Sequence, residues 1–268
     1  MSAEAAPPSV TPAAAAPTPR LTRRFTPPSG WGPIFIELAI VVLGVMIALA
    51  AGQAVESWVW HKKASDGEAA IRRDIDTLVP VLAEQVAVQP CVDAQLDGLA
   101  QAVLRSGDVL AAVRDLSGGE GRPSTIFRPT RPLLFGAWES LVADGTATRL
   151  AADRRGLYSA LAAELALLRS LNDEADRVDG RLSVLAYPME VDPGVRKDLL
   201  VEIAEQRNRL GLAALIALQS LDGLRSAGLM PDDKVIDGEM EGVASQWPPT
   251  CRALGKPPLD FRGLLKPR

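Results

Sequence analysis

A predominantly apolar run from Ile34 to Val55 constrains the fold of this chain more than any other part of its sequence. Glu37 is the only charged residue in the run, and none occurs from Leu38 onward. A helix rises about 1.5 Å per residue, so these 22 residues cover about 30 Å, the thickness of the hydrocarbon core of a bilayer. The run therefore predicts a single transmembrane helix.

Tryptophan residues flank the apolar run on both sides. Trp31 precedes it, and Trp58 and Trp60 follow it. The amphipathic indole ring favours the headgroup level, so these residues predict an aromatic belt at each membrane surface. We expect residues 31–60 to form the membrane helix together with its aromatic flanks, and the lipid bilayer to be its first partner.

A cleaved signal peptide is the alternative explanation of the apolar run. Ala48-Leu49-Ala50 matches the small-x-small cleavage pattern. However, no helix breaker separates this tripeptide from the apolar core, and the apolar residues continue to Val55. Both features favour an anchor that stays attached to the mature protein.

Composition argues against several classes of function. The net charge is -4, from 29 basic and 33 acidic side chains, which gives no electrostatic footprint for nucleic acid. Zinc sites usually need three or four Cys, His or carboxylate ligands. The chain has one His, His61, and two Cys, so we expect no metal site and no cofactor. His61 lies beside the membrane, where it cannot complete a Ser-His-Asp triad, and we expect no enzyme.

The remainder of the chain predicts an all-α fold in which the membrane helix continues into an extracytoplasmic helical bundle. Aromatic residues make up only 4% of the chain, Ala and Leu are abundant, and no useful alternating strand pattern occurs. We expect four segments: a disordered Ala/Pro-rich tail at 1–30, the membrane helix at 31–60, the bundle at 61–246, and an irregular Pro-rich tail at 247–268.

Apolar stripes at helical spacing predict about four long helices in the bundle. The first stripe contains Ile71, Ile75, Leu78, Leu82 and Val86. We expect its helix to bend at Pro80 and to end at Gln89-Pro90, with a second helix after it. Further stripes lie at 157–185 and 199–221. The last begins at Asp192, an N-cap residue followed by Pro193. Trp138 and Leu141 share one face of a short helix, which predicts a core position for Trp138 rather than a ligand pocket.

Two motifs resemble a family of uncharacterised bacterial single-pass membrane-anchored proteins, a domain of unknown function. The segment 35–49 is similar to the membrane helix of that family, with an early acidic residue, a Gly, then Ile-Ala-Leu, and a Trp further on, here Trp58. The segment 136–145 resembles its Trp-x-x-Leu-x-x-x-Gly helix-turn. Where that family carries two Asn before the Trp, this chain has Glu56 and Ser57. The resemblance implies a helical extracytoplasmic domain and no known activity.

Small residues mark one face of the membrane helix. Gly44, Ala48 and Gly52 recur every four residues, and Glu37 lies on the same face. Small residues let two helix backbones approach closely, which predicts a helix interface and a possible homodimer. The alternative for Glu37 is a hydrated carboxylate at the headgroup level without any partner.

Cys91 and Cys251 are the only cysteines. In an oxidising compartment they predict a disulfide that ties the C-terminal tail to the bundle, whereas in a reducing one they would be two unrelated buried thiols. The charge rule barely decides orientation, because Arg20, Arg23 and Arg24 precede the run and Lys62, Lys63, Arg72 and Arg73 follow it. The short basic N-terminal tail, the paired cysteines and the family resemblance favour a bundle in the periplasm and an N-terminus in the cytoplasm.

These features predict a structural or protein-interaction module of the bacterial inner membrane, with a protein partner that the sequence does not identify. The alternative is a periplasmic helical bundle that senses a ligand. A sensor would need a partner protein, since only about 30 residues precede the membrane helix and they contain no output domain.

Overall fold

Helices account for most of the described chain. The computed structural model describes residues 31–113, 126–128, 130–238, 251 and 254–255. The long elements are α1 at Gly32–Arg105, α2 at Gly136–Ala143, α3 at Ala152–Leu182 and α4 at Pro193–Ser226. The short elements are 3-10 turns at Thr146–Arg149 and Ser183–Ala186, strands β1 at Val109–Leu110 and β2 at Met189–Glu190, and a helical segment at 233–238. The predictions for residues 1–30, and those for 247–268 apart from 251 and 254–255, lie outside the described residues.

The chain divides into two compact units, Met1–Val55 and Glu56–Arg268. In the first unit, every described residue, from 31 to 55, belongs to α1 or directly precedes it, and all of these residues are exposed. In the second unit, the apolar side chains of three helices pack into a core. The helical fold and the long apolar N-terminal helix that the sequence predicts are therefore confirmed.

The predicted helix end at Gln89-Pro90 is wrong. Helix α1 continues through both Pro80 and Pro90 to Arg105. A proline inside a helix removes one backbone hydrogen bond and costs about 3 kcal/mol or more. Tertiary packing offsets this cost, because Pro80 itself and Cys91, directly after Pro90, are buried. The described bundle consequently has three long helices, where the sequence predicted about four.

Two successive hydrophobic clusters form the core of the second unit. The first joins residues 71–86 of α1, 158–168 of α3 and 213–224 of α4. The second joins residues 88–103 of α1, 175–182 of α3 and 199–210 of α4. Residue numbers rise together in α1 and α3 and fall in α4. Helix α3 therefore runs in the same direction as α1, and α4 runs in the opposite direction.

The connection between the parallel helices α1 and α3 returns along the length of the bundle. Near its start, the Gln95 side chain accepts a hydrogen bond from the backbone N–H of Phe127 at 2.7 Å. Farther on, Asp74 Oδ2 accepts one from the N–H of Ala137 at 2.9 Å. The return path explains how a turn at Thr146–Arg149 reaches the end of the bundle where Trp60 lies.

The start of α4 follows the sequence prediction. The Asp192 side chain accepts a hydrogen bond from the N–H of Val195 at 2.8 Å, and Pro193 occupies the first turn. An N-cap carboxylate satisfies one of the backbone donors that a helix start leaves free. After α4, Gly228 adopts a φ of +67°, a left-handed conformation that suits glycine at the end of a helix.

Candidate functional site

The first candidate site is the apolar segment at the start of α1. Among the described residues, α1 is the one helix whose length and apolar composition suit a membrane crossing. Exposed apolar patches on soluble monomers rarely exceed a few hundred Å². The exposed side chains of this segment include Ile34, Phe35, Ile36, Leu38, Ile40, Val41, Val42, Leu43, Val45, Met46, Ile47, Leu49 and Val55. The segment is long and apolar enough to span a bilayer.

The residues of the predicted helix interface lie within this segment. Glu37, Gly44, Ala48 and Gly52 are all helical and exposed. A Cβ atom added at Gly44 or Gly52 would meet nothing within 4 Å. The four-residue spacing places the three small residues on one face. Self-association through that face stays a prediction.

The aromatic residues that flank the apolar segment have different surroundings. Trp31 is 76% exposed, with its ring centroid 6.3 Å from that of Phe35. Trp58 is 66% exposed, whereas Trp60 is half-buried. The Trp60 ring lies 4.9 Å from Lys63 Nζ and 5.4 Å from the guanidinium carbon of Arg149. Arg149 follows Trp60 by 89 positions, and no signal in the sequence connects the two residues.

Cys91 and Cys251 form a disulfide in the structure. Their Cα atoms are 5.3 Å apart, and 160 positions separate them in the sequence. Both residues belong to the second hydrophobic cluster, with exposures of 1% and 0%. Gln95 Nε2 donates a hydrogen bond to the Cys91 carbonyl at 3.3 Å. The bond joins the C-terminal part of α1 to a residue near the C-terminus.

A partly buried ion-pair network surrounds Arg128, and no pattern in the sequence predicts it. Its guanidinium donates to Asp179 Oδ2 at 2.7 Å, to the Asn172 carbonyl at 3.2 Å and to Asp176. Burial raises the pKa of Asp179, although hydrogen bonds from Arg128 and Gln206 act in the opposite direction. A carboxyl group with a raised pKa is typical of acid catalysts. Here the donors occupy both carboxylate oxygens, which indicates a structural role.

Glu84, which is buried, has a similar partner. Arg131 Nε lies 2.7 Å from Glu84 Oε2, and burial raises the pKa of Glu84 against the opposing charge of Arg131. The void beside this pair has a volume of about 10 Å³, and the void beside Arg128 is of the same size. Each void has room for about one water molecule. These pairs fasten the returning connection to the helices.

A shallow groove lies between α3 and α4. Its volume is about 180 Å³, below the roughly 300–1,000 Å³ of typical small-molecule pockets. Arg181 Nε donates to both carboxylate oxygens of Glu202 at 2.7 and 2.8 Å in its wall. The lining residues are Arg181, Leu182, Val195, Asp198, Leu199 and Glu202. In the part of the chain that the structure describes, His, Cys, Asp and Glu form no group of three or more that could hold a metal ion.

No protein-family model, curated protein sequence or solved structure matches this chain. The resemblance of segments 35–49 and 136–145 to a membrane-anchored family thus stays a prediction from those motifs.

Proposed function

We propose that this chain is a membrane-anchored structural or protein-interaction module. The observation that carries the proposal is the fully exposed apolar surface of residues 31–55, on the same helix whose later residues form one side of a buried core. A helix that is apolar all round requires burial in protein or lipid. All residues from 31 to 55 are exposed, so we assign this burial to the bilayer.

Cell fractionation tests the anchor. A full-length chain with an N-terminal tag should sediment with membranes, and the tag should stay on the same polypeptide as the bundle. This result is expected because the apolar run continues past Ala48-Leu49-Ala50. Recovery of a soluble bundle that has lost the tag would show cleavage and contradict the proposal.

We further propose that the bundle lies outside the cytoplasm, in the periplasm of a bacterium with the helix in its inner membrane. The disulfide supports this orientation, because protein disulfides persist in oxidising compartments. The short tail with Arg20, Arg23 and Arg24 agrees with it, since basic residues favour the cytoplasmic side. The family resemblance supports the same orientation and the same kind of protein.

A C-terminal alkaline phosphatase fusion tests the orientation, because this enzyme is active only after export. We expect activity from the full chain and two unreactive cysteines in denaturant without reductant. An inactive fusion would indicate that the bundle lies in the cytoplasm instead. Reactive thiols at both Cys91 and Cys251 would remove the disulfide as support for it.

We assign the chain no enzymatic reaction. The carboxyl groups with raised pKa values, Glu84 and Asp179, are each paired with an arginine inside the bundle. General acids and bases need access to a reacting group, and the adjoining voids leave room for about one water. We therefore propose binding to a protein partner rather than catalysis. Crosslinking in intact membranes followed by purification of the full chain would identify it.

The groove between α3 and α4 gives the ligand-sensing alternative a specific location. Arg181 and Glu202 would have to separate from each other to bind an anionic or cationic ligand there. A thermal-shift screen of the full chain in detergent distinguishes the two functions, because a ligand raises the apparent stability of its receptor. A ligand whose effect disappears in Arg181→Gln would favour the sensor.

A further inference from the structure

Two positive charges converge on the indole ring of Trp60. Lys63 approaches from the next turn of α1, and Arg149 comes from the 3-10 turn that follows α2. Both side chains belong to exposed residues. A cation near an aromatic ring is stabilised, but two cations near the same ring also repel each other. An anion between them would relieve that repulsion.

These cations lack the carboxylate partners that many other arginines of the bundle have. Among the residues that the structure describes, neither Lys62, Lys63 nor Arg149 forms an ion pair, whereas Arg128, Arg131 and Arg181 each do. The nearby acids have other hydrogen-bond partners. Glu56 accepts a hydrogen bond from Trp60 Nε1 at 3.4 Å, and Asp144 accepts one from the N–H of Thr146 at 2.9 Å.

Asp144 is an acidic group that interacts with Lys63. Hydrogen bonds from Thr146 lower the pKa of Asp144, and the charge of Lys63 adds to that effect. The carboxylate therefore neutralises part of the positive charge near Lys63. Lys62 adds a third cation, with its Nζ 6.0 Å from the centroid of the exposed Trp58 ring. The three cations thus outnumber the carboxylates of Glu56 and Asp144 that contact this surface.

We propose that Trp60, Lys62, Lys63 and Arg149 form a binding site for the phosphate of an anionic phospholipid headgroup. The proposal rests on the membrane anchor proposed above. Trp60 follows Val55, the last residue of the apolar run, by five residues of α1, about 7.5 Å of helix rise. The headgroup region on each side of a bilayer is about 5–8 Å thick. A lipid phosphate is thus the anion that the anchor itself would bring to this surface.

The site makes the turn at Thr146–Arg149 a second membrane contact, supplied by the bundle rather than by the membrane helix. Trp58 adds an exposed amphipathic ring on the same turn of α1 as Trp60. Tryptophan and basic residues together are typical of the membrane interface. The headgroup contact would hold the bundle against the bilayer in a defined orientation.

Lipid competition tests the site in the full-length protein. The chain is reconstituted in nanodiscs with equal amounts of phosphatidylglycerol and phosphatidylcholine that carry the same acyl chains, and native mass spectrometry measures the ratio of the two lipids that remain bound. We expect phosphatidylglycerol to exceed phosphatidylcholine. Arg149→Gln and Lys63→Gln should each lower the excess by about fivefold, the usual effect of one basic residue near an anionic surface.

Two further variants serve as controls. Lys197→Gln removes one exposed charge beside Arg196, which binds the carbonyls of Val103 and Ser106 at the opposite end of the bundle. It should leave the lipid ratio unchanged. Arg149→Lys keeps the charge and should keep most of the excess, whereas a loss equal to that of Arg149→Gln would show that the arginine acts only through the local fold and would overturn the proposal.

Failure of the site and failure of the anchor give different results. A wild-type chain that does not enter nanodiscs would refute the membrane anchor itself. A chain that enters but binds both lipids equally would refute only the proposed site for an anionic headgroup, because the phosphate of phosphatidylcholine is neutralised by its choline. The same ratio for Arg149→Gln, Lys63→Gln and Lys197→Gln would refute it as well, since lipid preference would then not depend on the patch.

Discussion

Gly67 is the glycine at which helix α1 approaches another element most closely. A Cβ atom there would lie 2.5 and 2.8 Å from the two terminal carbons of Leu141 in α2, below normal contact distance. Leu141 is itself buried, which limits its freedom to move away. We expect Gly67→Val to lower the free energy of unfolding by about 1–3 kcal/mol, the usual effect of overpacking. Urea unfolding of the detergent-solubilised chain measures it.

Gly98→Val is the matched control for that change. Gly98 lies in the same helix and is exposed, and a Cβ added there meets nothing within 4 Å. Its effect should be limited to helix propensity, a few tenths of a kcal/mol. Combining Gly67→Val with Leu141→Ala should cost less than the sum of the two single changes, because the alanine removes the clashing atoms. Strict additivity would contradict the packing argument.

The buried carboxyl group of Glu84 predicts a specific dependence of stability on pH. Burial raises its pKa above the usual value of 4.5. The folded state then retains the proton to a higher pH than the unfolded state does. The contribution of protonated Glu84 to the stability of the fold is therefore fully present below the usual pKa. It is lost as the pH rises through the folded-state pKa.

Glu84→Gln removes this titration. The unfolding free energy of the wild type relative to the variant should fall as the pH rises above the usual pKa of 4.5, because the folded state holds the proton of Glu84 longer than the unfolded state does. Urea unfolding at several pH values measures the difference. The exposed Glu190→Gln serves as the control for loss of a surface carboxylate. A difference for Glu84→Gln that rises with pH would mean that Arg131, and not burial, controls the carboxyl group.

Local rules predicted some residue roles correctly and missed others. Asp192 acts as an N-cap and Trp138 lies in the core, and each role depends on residues only a few positions away. Arg128 and Arg149 contact residues that are tens of positions distant. A single sequence contains no signal for such pairs, and an exposed charged face is the default interpretation of an arginine.

At the scale of an element, helix α1 ends against the side chain of Arg196. The guanidinium donates hydrogen bonds to the carbonyls of Val103, Ser106 and Gly107, at 2.5, 2.9 and 2.9 Å. The last carbonyls of a helix have no partner within it and carry partial negative charge. A cation from α4 satisfies them and fixes the first turn of α4 against the end of α1.

Arg196→Met keeps most of the aliphatic length and removes the donors. We expect a loss of about 1.5–3 kcal/mol in unfolding free energy, the usual contribution of charged hydrogen bonds. Hydrogen exchange should also increase at the amides of the last turn of α1. Lys197→Met, the neighbouring exposed position, should change neither quantity by much. Equal effects from the two variants would contradict a capping role for Arg196.

The membrane helix gives a prediction for self-association. Gly44→Ile places a branched side chain on the small-residue face and should separate two helix backbones, which weakens the proposed dimer. Leu43→Ile changes a position about 100° away around the helix and should matter less. An in-membrane association assay on residues 31–60 compares the two. Equal signals from wild type and Gly44→Ile would show that the small residues are only ordinary membrane-helix composition.

Apolar periodicity predicted most helices because it follows from burial of one helix face. Ile71, Ile75, Leu78 and Leu82 are all buried, as their spacing indicates. The same rules failed at Pro90, where a local helix breaker is overridden by contacts from α3, α4 and the disulfide. Intrinsic helix propensity is a weak predictor of where a helix ends when the residues on both sides of the proline are packed in a core.

At the scale of the whole chain, the parallel direction of α1 and α3 was not predictable from local pattern. It depends on the connection between the two helices, which returns along the bundle. Hydrogen bonds between Asp74 and Ala137 and between Arg169 and Leu133 hold that connection in place. These contacts have large sequence separations, and each loop must close before they form. The short pairing of β1 with β2, which joins Val109 to Glu190, is another contact between residues far apart in the sequence.

The disulfide between Cys91 and Cys251 is the longest covalent constraint on the bundle, since 160 positions separate its ends. A crosslink removes conformational freedom from the unfolded chain, and for a loop of this length the effect is about 5 kcal/mol. Cys91→Ala combined with Cys251→Ala should therefore lower the unfolding free energy by about that amount. Reductant should lower the stability of the wild type to a similar value.

Circular dichroism during urea unfolding of the full chain in detergent measures both effects. Reductant should leave the double variant unchanged, because no disulfide remains in it, and this serves as the internal control. A smaller loss would mean that the unfolded chain is already compact near the two cysteines. If the double variant matched the wild type both with and without reductant, the bond would contribute nothing to the fold. Its support for an extracytoplasmic bundle would then have to come from the thiol labelling alone.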